Sequence, residues 1–563
     1  MELFLIFFES LRKNYELSQK RIRTMNCCTN FSYQKNTFPY RDFELQYFFH
    51  SPEKIEKDCP LLIIADGSGS EALKNIPAAI TEQSVVIYLD LPKEYLRKNG
   101  LDPVFYTFQK NPIKPVAAIL KLMDSILNEY PVDFERIYLT GSGFGGIVCW
   151  ELMRRRIGFF SAACLVGSKT DVEDFKPNPS TAVRLYHGTE DLEISVKSSK
   201  RLYLALMDTY CDVKLQEIPG NAADALHHFT HDPEPLKWLF GVRQRIFTSM
   251  PIPENMEVVE LDFAGFAAKI LLEAGGNIYS LRHKATGTQL LREPHRKEEL
   301  FHTPERFGIP PLFPPNRIED GAFLFEGKIC HLPINQKAQN LHLHGVAVSQ
   351  PWQLVNHDER SAELKFVFDE YSLEYEGFPF ACEIIRRYEL TESGLKDTVI
   401  VRNNGTCNMP LGLGFHTAFP ADDATVRIGR ADFKFEINRK TFLPTGQCLG
   451  WDEFDPGKSF IPFGTVVDFH CKTGKLSSQD GTEFHGAELV YPTGTLRYVT
   501  DEKFGFWYTW NAGGLNDFIC LEPVSWMSKA LNLPLPQKSS GVRKLAPGAE
   551  IEFVSLLEFT ANH

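Results

Sequence analysis

The sequence lacks the features that mark several functional classes. It contains no long basic run and has a formal net charge of -12 at pH 7, so binding to nucleic acid or an anionic membrane has little electrostatic support. No stretch is long and apolar enough to predict a transmembrane helix. The 12 cysteines include no CxxC pair and no Cys/His cluster with zinc-like spacing. This indicates reduced thiols in a cytoplasmic protein and no metal.

The first residues, MELFLIFFESLRKN, form a short apolar run that ends in a charged segment. No basic residue precedes the run, and its length is below that of a membrane span, so it makes a poor signal peptide. Met25 is an alternative translation start. We therefore assign residues 1–35 to an N-terminal extension and give residues 1–24 no role.

A length of 563 residues predicts about two to four domains. Over residues 36–245, apolar strand-like runs alternate with helical stretches, which is typical of a parallel sheet covered by helices. The strand-like runs are PLLIIAD (60–66), SVVIYLD (84–90), RIYLTG (136–141) and AVRLYHG (182–188), and the helical stretches are 115–129, 146–156 and 195–208.

Residues 246–257, IFTSMPIPENME, are polar and contain two prolines, so they are predicted to be a linker. From residue 258 to residue 563 the pattern changes to short alternating runs separated by Gly, Asn, Asp and Pro turns. AELKFVFDE, ACEIIRRYELT and DTVIVRNNG are examples. This half is predicted to be a large antiparallel β domain of the sandwich type.

The segment IYLTGSGFGG (137–146) has the strand, glycine turn and helix of a nucleophile elbow, G-x-S-x-G. Residues 60–240 resemble α/β-hydrolases of the esterase and peptidase type. The resemblance places Gly143 at the nucleophile position. HGTEDLEISV (187–196) puts Asp191 at the acid position, and PGNAADALHHFTHDPEPLKWLF (219–240) puts Ala223 at the histidine position. DGSGS (66–70) falls where the family often has an oxyanion loop.

A hydrolase of this type needs a serine, a histidine that takes its proton and an acid that orients the histidine. Two of these positions are lost, which favours an inactive domain, and glycine relieves the backbone strain of the elbow. An alternative keeps activity through Ser142 in a shifted turn. The base would then come from one of three histidines in the closing segment: His227, His228 and His231. Cys149 is interpreted as a packing residue.

Four stretches of the second half offer one arginine, two histidines and one glutamate. They are PLFPPNRIEDGAFLFEGKICHLPIN (311–335), NLHLHGVAVSQPW (340–352), PLGLGFHTAFP (410–420) and ICLEPVSWM (519–527), and they carry Arg317, His344, His416 and Glu522. A Glu–His pair can move protons reversibly on a neutral substrate, and Trp352 or Phe415 is a candidate stacking face for a sugar. Taken singly, each histidine also fits a core or turn position, and Glu522 also fits a salt bridge.

In order, these motifs resemble the aldose 1-epimerase (galactose mutarotase) family over residues 256–563. The resemblance implies a β-supersandwich that acts on a monosaccharide or sugar derivative, with no metal or organic cofactor. It implies that Glu522 takes the proton of the anomeric hydroxyl and that His416 protonates the ring oxygen. It also implies that His344 and Arg317 bind sugar oxygens.

The family also has an aspartate that holds sugar hydroxyls, after an L-P-x-G segment that is LPTG (443–446) here. Asp468 is the candidate, with Asp452 and Asp455 as alternatives. One departure lies beside His416, where Thr417 and Ala418 replace the usual proline and tyrosine. This puts the identity of the sugar in doubt more than the chemistry.

Three functions are compatible with the sequence. The first is a mutarotase-like epimerase that follows an inactive hydrolase domain. The second is a carbohydrate-binding module without turnover, and the third is a bifunctional sugar esterase and epimerase. Arg386 and Arg387 are candidates for binding a sugar phosphate, although an ordinary strand face explains them equally well. The sequence leaves the oligomeric state undetermined.

Overall fold

The computed structural model describes residues 34–52, 59–66, 82–91, 113–156, 159–170, 181–207, 212–243 and 253–562, with short gaps at 254, 337–338, 349, 439, 453, 479–480, 515 and 534. Nearly all of the predicted N-terminal extension, residues 67–70 of the predicted oxyanion loop and most of the predicted linker lie outside the described residues. The chain divides into two compact units, Met1–Met153 with Gly158–Gln244, and Arg154–Ile157 with Arg245–His563. The predicted domain boundaries remain predictions.

The first unit contains eight strands and five helices in its described residues. The strands are β1 (Gln34–Tyr40), β2 (Phe43–His50), β3 (Cys59–Asp66), β4 (Val85–Leu89), β5 (Val132–Ser142), β6 (Ala162–Val166), β7 (Ala182–Gly188) and β8 (Val213–Ile218). The helices are α1 (Lys114–Glu129), α2 (Phe144–Arg155), α3 (Val196–Met207), α4 (Ala222–His231) and α5 (Glu234–Gly241).

These strands form one sheet in the order β1-β2-β4-β3-β5-β6-β7-β8. Pairing is parallel from β4 to β8 and antiparallel between β1, β2 and β4. Alternate residues of β3 enter different cores, because side chains alternate across a strand. Leu61 and Ile63 pack in the core that includes α1, α2 and α3, whereas Leu62 and Ile64 pack with α4 and α5. The predicted parallel sheet covered by helices is confirmed.

The second unit is built almost entirely from strands. They are β9 (Val258–Phe263), β10 (Phe266–Leu271), β11 (Asn277–His283), β12 (Thr288–Gln289), β13 (Pro311–Leu312), β14 (Arg317–Glu319), β15 (Ala322–Phe325), β16 (Lys328–His331), β17 (Leu341–Leu343), β18 (Gln353–His357), β19 (Ser361–Phe368), β20 (Cys382–Thr391), β21 (Gly394–Asn403), β22 (Met409–Leu411), β23 (Gly414–Phe415), β24 (Thr417–Pro420), β25 (Thr425–Ile428), β26 (Arg430–Ile437), β27 (Pro444–Gly450), β28 (Asp468–Thr473), β29 (Lys475–Ser477), β30 (Glu483–Tyr491), β31 (Gly494–Thr500), β32 (Phe506–Trp510), β33 (Phe518–Val524), β34 (Arg543–Leu545) and β35 (Glu550–Ala561). The short helices α6 (Glu299–His302) and α7 (Gln537–Ser540) complete the unit, together with single 3-10 turns at Pro304–Arg306 and Ala530–Asn532.

Two large antiparallel sheets dominate this unit. One has nine strands and runs β18-β19-β20-β21-β35-β31-β30-β25, with β29 on β30. The other has eight and runs β13-β23-β33-β32-β28-β26-β27, with β24 on β33. Smaller sheets are β12-β11-β10-β9, β14-β17, β15-β16 and β22-β34. The two large sheets contribute to one hydrophobic core, so the predicted large antiparallel β domain of the sandwich type is confirmed.

Among the described residues, no helix is both long and apolar enough to cross a membrane.

Candidate active site

The candidate site lies on the face of the eight-stranded sheet that points away from the main core. On β33, Ile519 and Leu521 enter the main core, so Glu522 between Leu521 and Pro523 points to the other face. The same alternation applies to β28, where Phe469 and Cys471 are core residues and His470 is not part of that core. The sheet therefore presents polar side chains of several adjacent strands on one surface.

Glu522 and His416 form the centre of this surface. Nε2 of His416 lies 3.1 Å from Oε1 of Glu522, and the two side chains are only 5% and 4% exposed. His416 lies between β23 and β24, and its backbone N–H donates to the carbonyl of Pro310 at 3.1 Å. Because β24 pairs with β33, the sheet brings together two residues that are far apart in the sequence.

Arg317 and His344 approach from the small β14-β17 sheet, which pairs Arg317 with Leu343. Oδ1 of Asn316 accepts from the backbone N–H of Arg317 at 3.0 Å and from Nη1 at 3.3 Å, which explains the N-R pair of the motif. The rings of His344 and His416 are 5.1 Å apart and nearly perpendicular. The structure therefore brings the four predicted residues close enough for their charges to affect one another. They are Arg317, His344, His416 and Glu522.

The backbone that carries His344 is unusual. His344 has φ 70 and Gly345 has φ 74, a region that costs a non-glycine residue roughly 1–3 kcal/mol. A Cβ at Gly345 would lie 2.1 Å from the carbonyl oxygen of Phe313. Glycine is therefore required beside His344 both by its φ and by the close approach of a second backbone segment.

Burial and neighbouring charge set the protonation of the central pair. Burial raises the pKa of Glu522 to about 8, the positive charge of Arg317 opposes that rise, and the negative charges of Asp468 and Glu305 add to it. Burial and the charge of Arg317 lower the pKa of His416. Near neutral pH, the unliganded pair therefore holds a proton on or near the carboxyl group, and the imidazole is neutral.

The structure favours Asp468 over its two competitors. Asp468 begins β28, and its charge acts on Glu522. Asp455 instead accepts from the guanidinium of Arg430 at 2.7 Å, and Asp452 is 84% exposed opposite Lys434. The role of Asp468 in holding a sugar remains a proposal.

The two aromatic residues suggested as stacking faces are core residues, so that suggestion is wrong. Trp352 is 3% exposed and stacks on Phe366 at 5.5 Å. Phe415 is 1% exposed and packs against Phe504. Each residue is next to one polar residue, Gln353 or His416, and the sequence alone does not tell which of these side chains enter the core.

Arg386 and Arg387 are also accounted for by the strand on which they lie. Arg386 is fully buried, donates to both carboxylate oxygens of Asp397 at 3.0 and 2.6 Å, and donates to the carbonyl of Ile309 at 3.0 Å. Arg387 lies on the opposite face and pairs with Glu363. The suggestion that they bind phosphate is therefore wrong for Arg386, and the ordinary strand face explains Arg387.

Sequence reasoning missed two residues beside the acid–base pair: Tyr508 and Trp510. Trp510 lies 6.1 Å from His416, and Tyr508 is the cross-strand neighbour of Glu522. The alternation in FWYTW (506–510) was the available signal. It could not be used without knowing that β32 lies between β28 and β33.

The predicted elbow of the first unit has its backbone turn at Gly143, the position predicted for the nucleophile. Gly143 has φ 51, and a Cβ built there meets nothing within 4 Å. Ser142 is the last residue of β5, pairs with Val166 of β6 and is 3% exposed. The structure therefore does not contain the shifted turn that would expose the Ser142 hydroxyl. Cys149 is fully buried, and burial raises the pKa of its thiol.

Asp191 is retained, but its contacts organise its own loop. Its Oδ1 accepts from the backbone N–H groups of Glu193 at 2.9 Å and Ile194 at 3.0 Å. Its Oδ2 lies 3.4 Å from Nε2 of the buried His187. These contacts explain an aspartate here without any catalytic role.

Ala223, which is predicted to be at the histidine position, lies in the first turn of α4. The backbone N–H of Ala223 donates to the side chain of Asn221, which caps the helix in a capping box with Asp224. His228 lies 3.1 Å from Gln216 of β8, and His227 and His231 stack at 3.9 Å on the helix surface. These contacts tie the three candidate histidines to β8 and to α4 itself.

Among the described residues, no group of three or more His, Cys, Asp or Glu side chains is arranged to hold a metal ion.

Comparison with known proteins found similarities in both halves of the chain. A family model for aldose 1-epimerase matches residues 257–558. The uncharacterized protein YphB of Escherichia coli K12 is 28% identical over 250 residues, covering 42% of this chain and 78% of its own. The crystal structure of a galactose mutarotase-like protein from Clostridium acetobutylicum is 24% identical, with a TM-score of 0.48, and the match covers 55% of this chain and 100% of that one. The crystal structure of a thermostable esterase is 20% identical, with a TM-score of 0.34, and the match covers 38% and 63% of the two chains.

Proposed function

This chain belongs to the aldose 1-epimerase family through residues 257–558, and we propose that this half interconverts the α and β anomers of an aldose. The observation that carries the proposal is the buried pair in which Nε2 of His416 lies 3.1 Å from Oε1 of Glu522. A carboxyl group and an imidazole at this separation can exchange a proton directly and can face the two oxygens of one anomeric carbon.

The reaction balances without any other reactant. The proton of the pair first passes from Glu522 to His416 across their 3.1 Å contact. Glu522 then takes the proton of the anomeric hydroxyl while His416 gives its proton to the ring oxygen, and the bond between C1 and the ring oxygen breaks. The open-chain aldehyde rotates about C1–C2. On closure, His416 takes back the proton of the hydroxyl and Glu522 returns its proton to the carbonyl oxygen, now on the other face of C1.

The surroundings suit both proton transfers. A raised pKa makes the ionised Glu522 a stronger base than an ordinary carboxylate near neutral pH. Burial and the charge of Arg317 lower the pKa of His416, so a protonated His416 would be a stronger acid than an ordinary imidazolium. Arg317, His344 and Asp468 would hold the sugar oxygens, and a monosaccharide is the substrate class.

We further propose that the first unit does not hydrolyse esters. Gly143 and Ala223 stand at the predicted nucleophile and base positions, and the contacts of Asp191 hold its own loop and reach His187 of β7. If the predicted hydrolase site of the first unit is inactive, the interconversion of anomers by the second unit is the activity that we propose for the chain.

Polarimetry of freshly dissolved α-D-glucose and α-D-galactose tests the main proposal. Wild type should accelerate equilibration of at least one sugar, and Glu522→Gln should lose about 10²–10⁴ of that acceleration. Glu502→Gln is a matched control, because Glu502 lies 3.3 Å from His485 in a second Glu–His pair but is 77% exposed. No acceleration on either sugar, or equal rates for wild type and Glu522→Gln, would overturn the proposal.

A further inference from the structure

Arg317 uses few of its hydrogen-bond donors within the protein. Its Nη1 donates to Oδ1 of Asn316 at 3.3 Å. In the part of the chain that the structure describes, Arg317 has no carboxylate within ion-pair distance, and its Nε and Nη2 make no hydrogen bond. Arg317 is partly exposed, whereas Glu522 and His416 are buried. Its Nη2 can therefore donate to an oxygen of a bound sugar.

The charge of Arg317 lies close to the acid–base pair. After burial, this charge has the next largest effect on the pKa of both Glu522 and His416, opposing the rise of the first and adding to the fall of the second. A guanidinium is planar and donates its hydrogen bonds in fixed directions. The orientation of that plane therefore decides whether Arg317 meets the oxygens of a sugar bound over the pair.

An aromatic ring contacts the end of the Arg317 side chain. The guanidinium carbon of Arg317 lies over the ring of Phe442, 5.5 Å from its centre. A cation within about 6 Å of the centre of an aromatic ring is attracted by the quadrupole of that ring. Phe442 is partly exposed, so this contact is not part of a closed core. Together, Phe442 and Asn316 hold the guanidinium on two sides of its own side chain.

The turn that carries Phe442 joins β26 to β27, in the same sheet as Glu522 on β33. The backbone N–H of Phe442 donates to the carbonyl of Asn438 at 2.8 Å, and the N–H of Asn438 donates to the carbonyl of Leu443 at 2.9 Å. Oδ1 of Asn438 also accepts from the backbone N–H of Thr441 at 3.1 Å. These bonds tie the two ends of the turn together and fix the backbone of Phe442 relative to the sheet.

The backbone of Phe442 lies in the left-handed region, with φ 56. Glycine and asparagine adopt this region readily in turns, whereas a bulky side chain loses free energy there. The turn by itself therefore gives no reason for a phenylalanine at this position. Strain of this kind is concentrated at binding and catalytic sites, and the contact of the ring with Arg317 supplies a reason for it here.

We propose that Phe442 is a positioning residue for Arg317, and that its ring fixes the direction of the guanidinium so that Nη2 meets an oxygen of the bound sugar. The phenyl ring has no proton to transfer and no hydrogen bond to offer, so it acts through Arg317. This inference rests on the proposed function, because the direction of Arg317 matters for a sugar that binds over the acid–base pair.

Phe442→Leu and Phe442→Tyr in the full chain test the proposal on the aldose that wild type prefers. Leucine fills most of the space but has no π face, whereas tyrosine keeps the ring. Phe442→Leu should raise KM about three- to tenfold. It should change kcat by less than about twofold, because Arg317 holds the sugar in the ground state and in the transition state alike. Phe442→Tyr should keep KM within about twofold of the wild-type value.

Phe263→Leu is the matched control. The guanidinium carbon of Arg360 lies 4.9 Å from the centre of the Phe263 ring, but Phe263 lies on β9, in a different sheet. Phe263→Leu should leave KM unchanged. The proposal is overturned if Phe442→Leu keeps the wild-type KM, or if Phe442→Tyr or Phe263→Leu raises KM as much as Phe442→Leu does. If Phe442→Leu does not fold, Phe442→Met replaces it, since methionine also fills the space without a π face.

A double-mutant cycle with Arg317→Gln shows whether Phe442 acts through Arg317. Arg317→Gln alone should raise KM. Adding Phe442→Leu should then raise KM by less than about 1.5-fold, since the interaction has already been removed. An equal increase in both backgrounds would mean that the ring touches the sugar itself, and would overturn the positioning role.

Calorimetric titration of D-glucose and D-galactose into Glu522→Gln, with and without Phe442→Leu, separates this inference from the proposed function. Weaker binding caused by Phe442→Leu supports the role of Phe442 even if wild type shows no turnover. Equal binding overturns it even if wild type is an efficient epimerase. If neither sugar is bound or turned over, both are overturned.

Discussion

Gly345 closes against Phe313 so tightly that a Cβ on Gly345 would lie 2.1 Å from the Phe313 carbonyl oxygen. The backbone N–H of Val346 donates to this same oxygen at 2.7 Å. The contact fixes the loop that carries His344, whose backbone N–H donates to the carbonyl of Asn316 at 3.0 Å. The position of His344 therefore depends on the glycine that follows it.

Gly345→Ala tests this dependence. We expect lower thermal stability and a lower kcat/KM on the preferred aldose, because the methyl group displaces the backbone on both sides of His344. Gly265→Ala is the matched control, since Gly265 has φ 85 but a Cβ there meets nothing within 4 Å. The explanation fails if the two variants lose stability and activity to the same extent.

The rate of anomer interconversion should depend on pH through Glu522. The mechanism needs one proton on the Glu522–His416 pair, and this proton must reach His416 for transfer to the ring oxygen. The raised pKa of Glu522, about 8, means that the pair loses this proton above that pH, and His416 then has none to give. After subtraction of the spontaneous reaction, kcat/KM should therefore stay level from about pH 6 to pH 7.5 and fall between about pH 8 and pH 10. A profile that stays level to pH 10, or that rises with pH, would contradict this assignment.

His416→Gln should lower kcat by about 10²–10⁴, because an amide cannot supply the proton that the ring oxygen needs. Stopped-flow polarimetry on wild type and the variant measures the loss. His485→Gln is the control for a histidine paired with a glutamate, and its site on β30 is partly exposed. A loss confined to KM would instead make His416 a binding residue.

The pair of Arg386 and Asp397 should support stability and not phosphate binding. Asp397→Asn breaks a bidentate pair that is 0% and 1% exposed, and breaking such a buried pair costs about 3–5 kcal/mol. Glu363→Gln, which removes the partner of the half-exposed Arg387, should cost at most about 1 kcal/mol. Unfolding of the full chain measures both. Similar decreases in the free energy of unfolding for the two variants would show that the buried pair does not contribute more to stability than the exposed pair.

The first unit should hydrolyse p-nitrophenyl acetate no faster in wild type than in Ser142→Ala. Ser142 is 3% exposed within β5, and Gly143 occupies the turn. Asp191→Asn should change stability, because the carboxylate holds two backbone N–H groups, but should not change ester hydrolysis. Ester hydrolysis that disappears in Ser142→Ala would instead establish a bifunctional enzyme.

The fold class followed from the sequence because periodicity is a local property. PLLIIAD and AVRLYHG are strands β3 and β7, and the helical stretch 115–129 is α1 with one more residue at its start. β6 and β8 were not singled out, because short apolar or mixed runs such as AACLV and VKLQEI carry little periodic signal.

By itself, the sequence determined which residue types are present for the chemistry: a glutamate, two histidines and an arginine in family order, and an elbow with glycine at the nucleophile position. Only the tertiary structure decided which of them meet. The 3.1 Å between His416 and Glu522, the choice of Asp468 over Asp455, and the placing of His470 beside Tyr508 all depend on sheet order and register. Trp352 and Arg386 were misjudged for the same reason. Burial and cross-strand contact are set by distant segments of the chain, and no local pattern of residues specifies them.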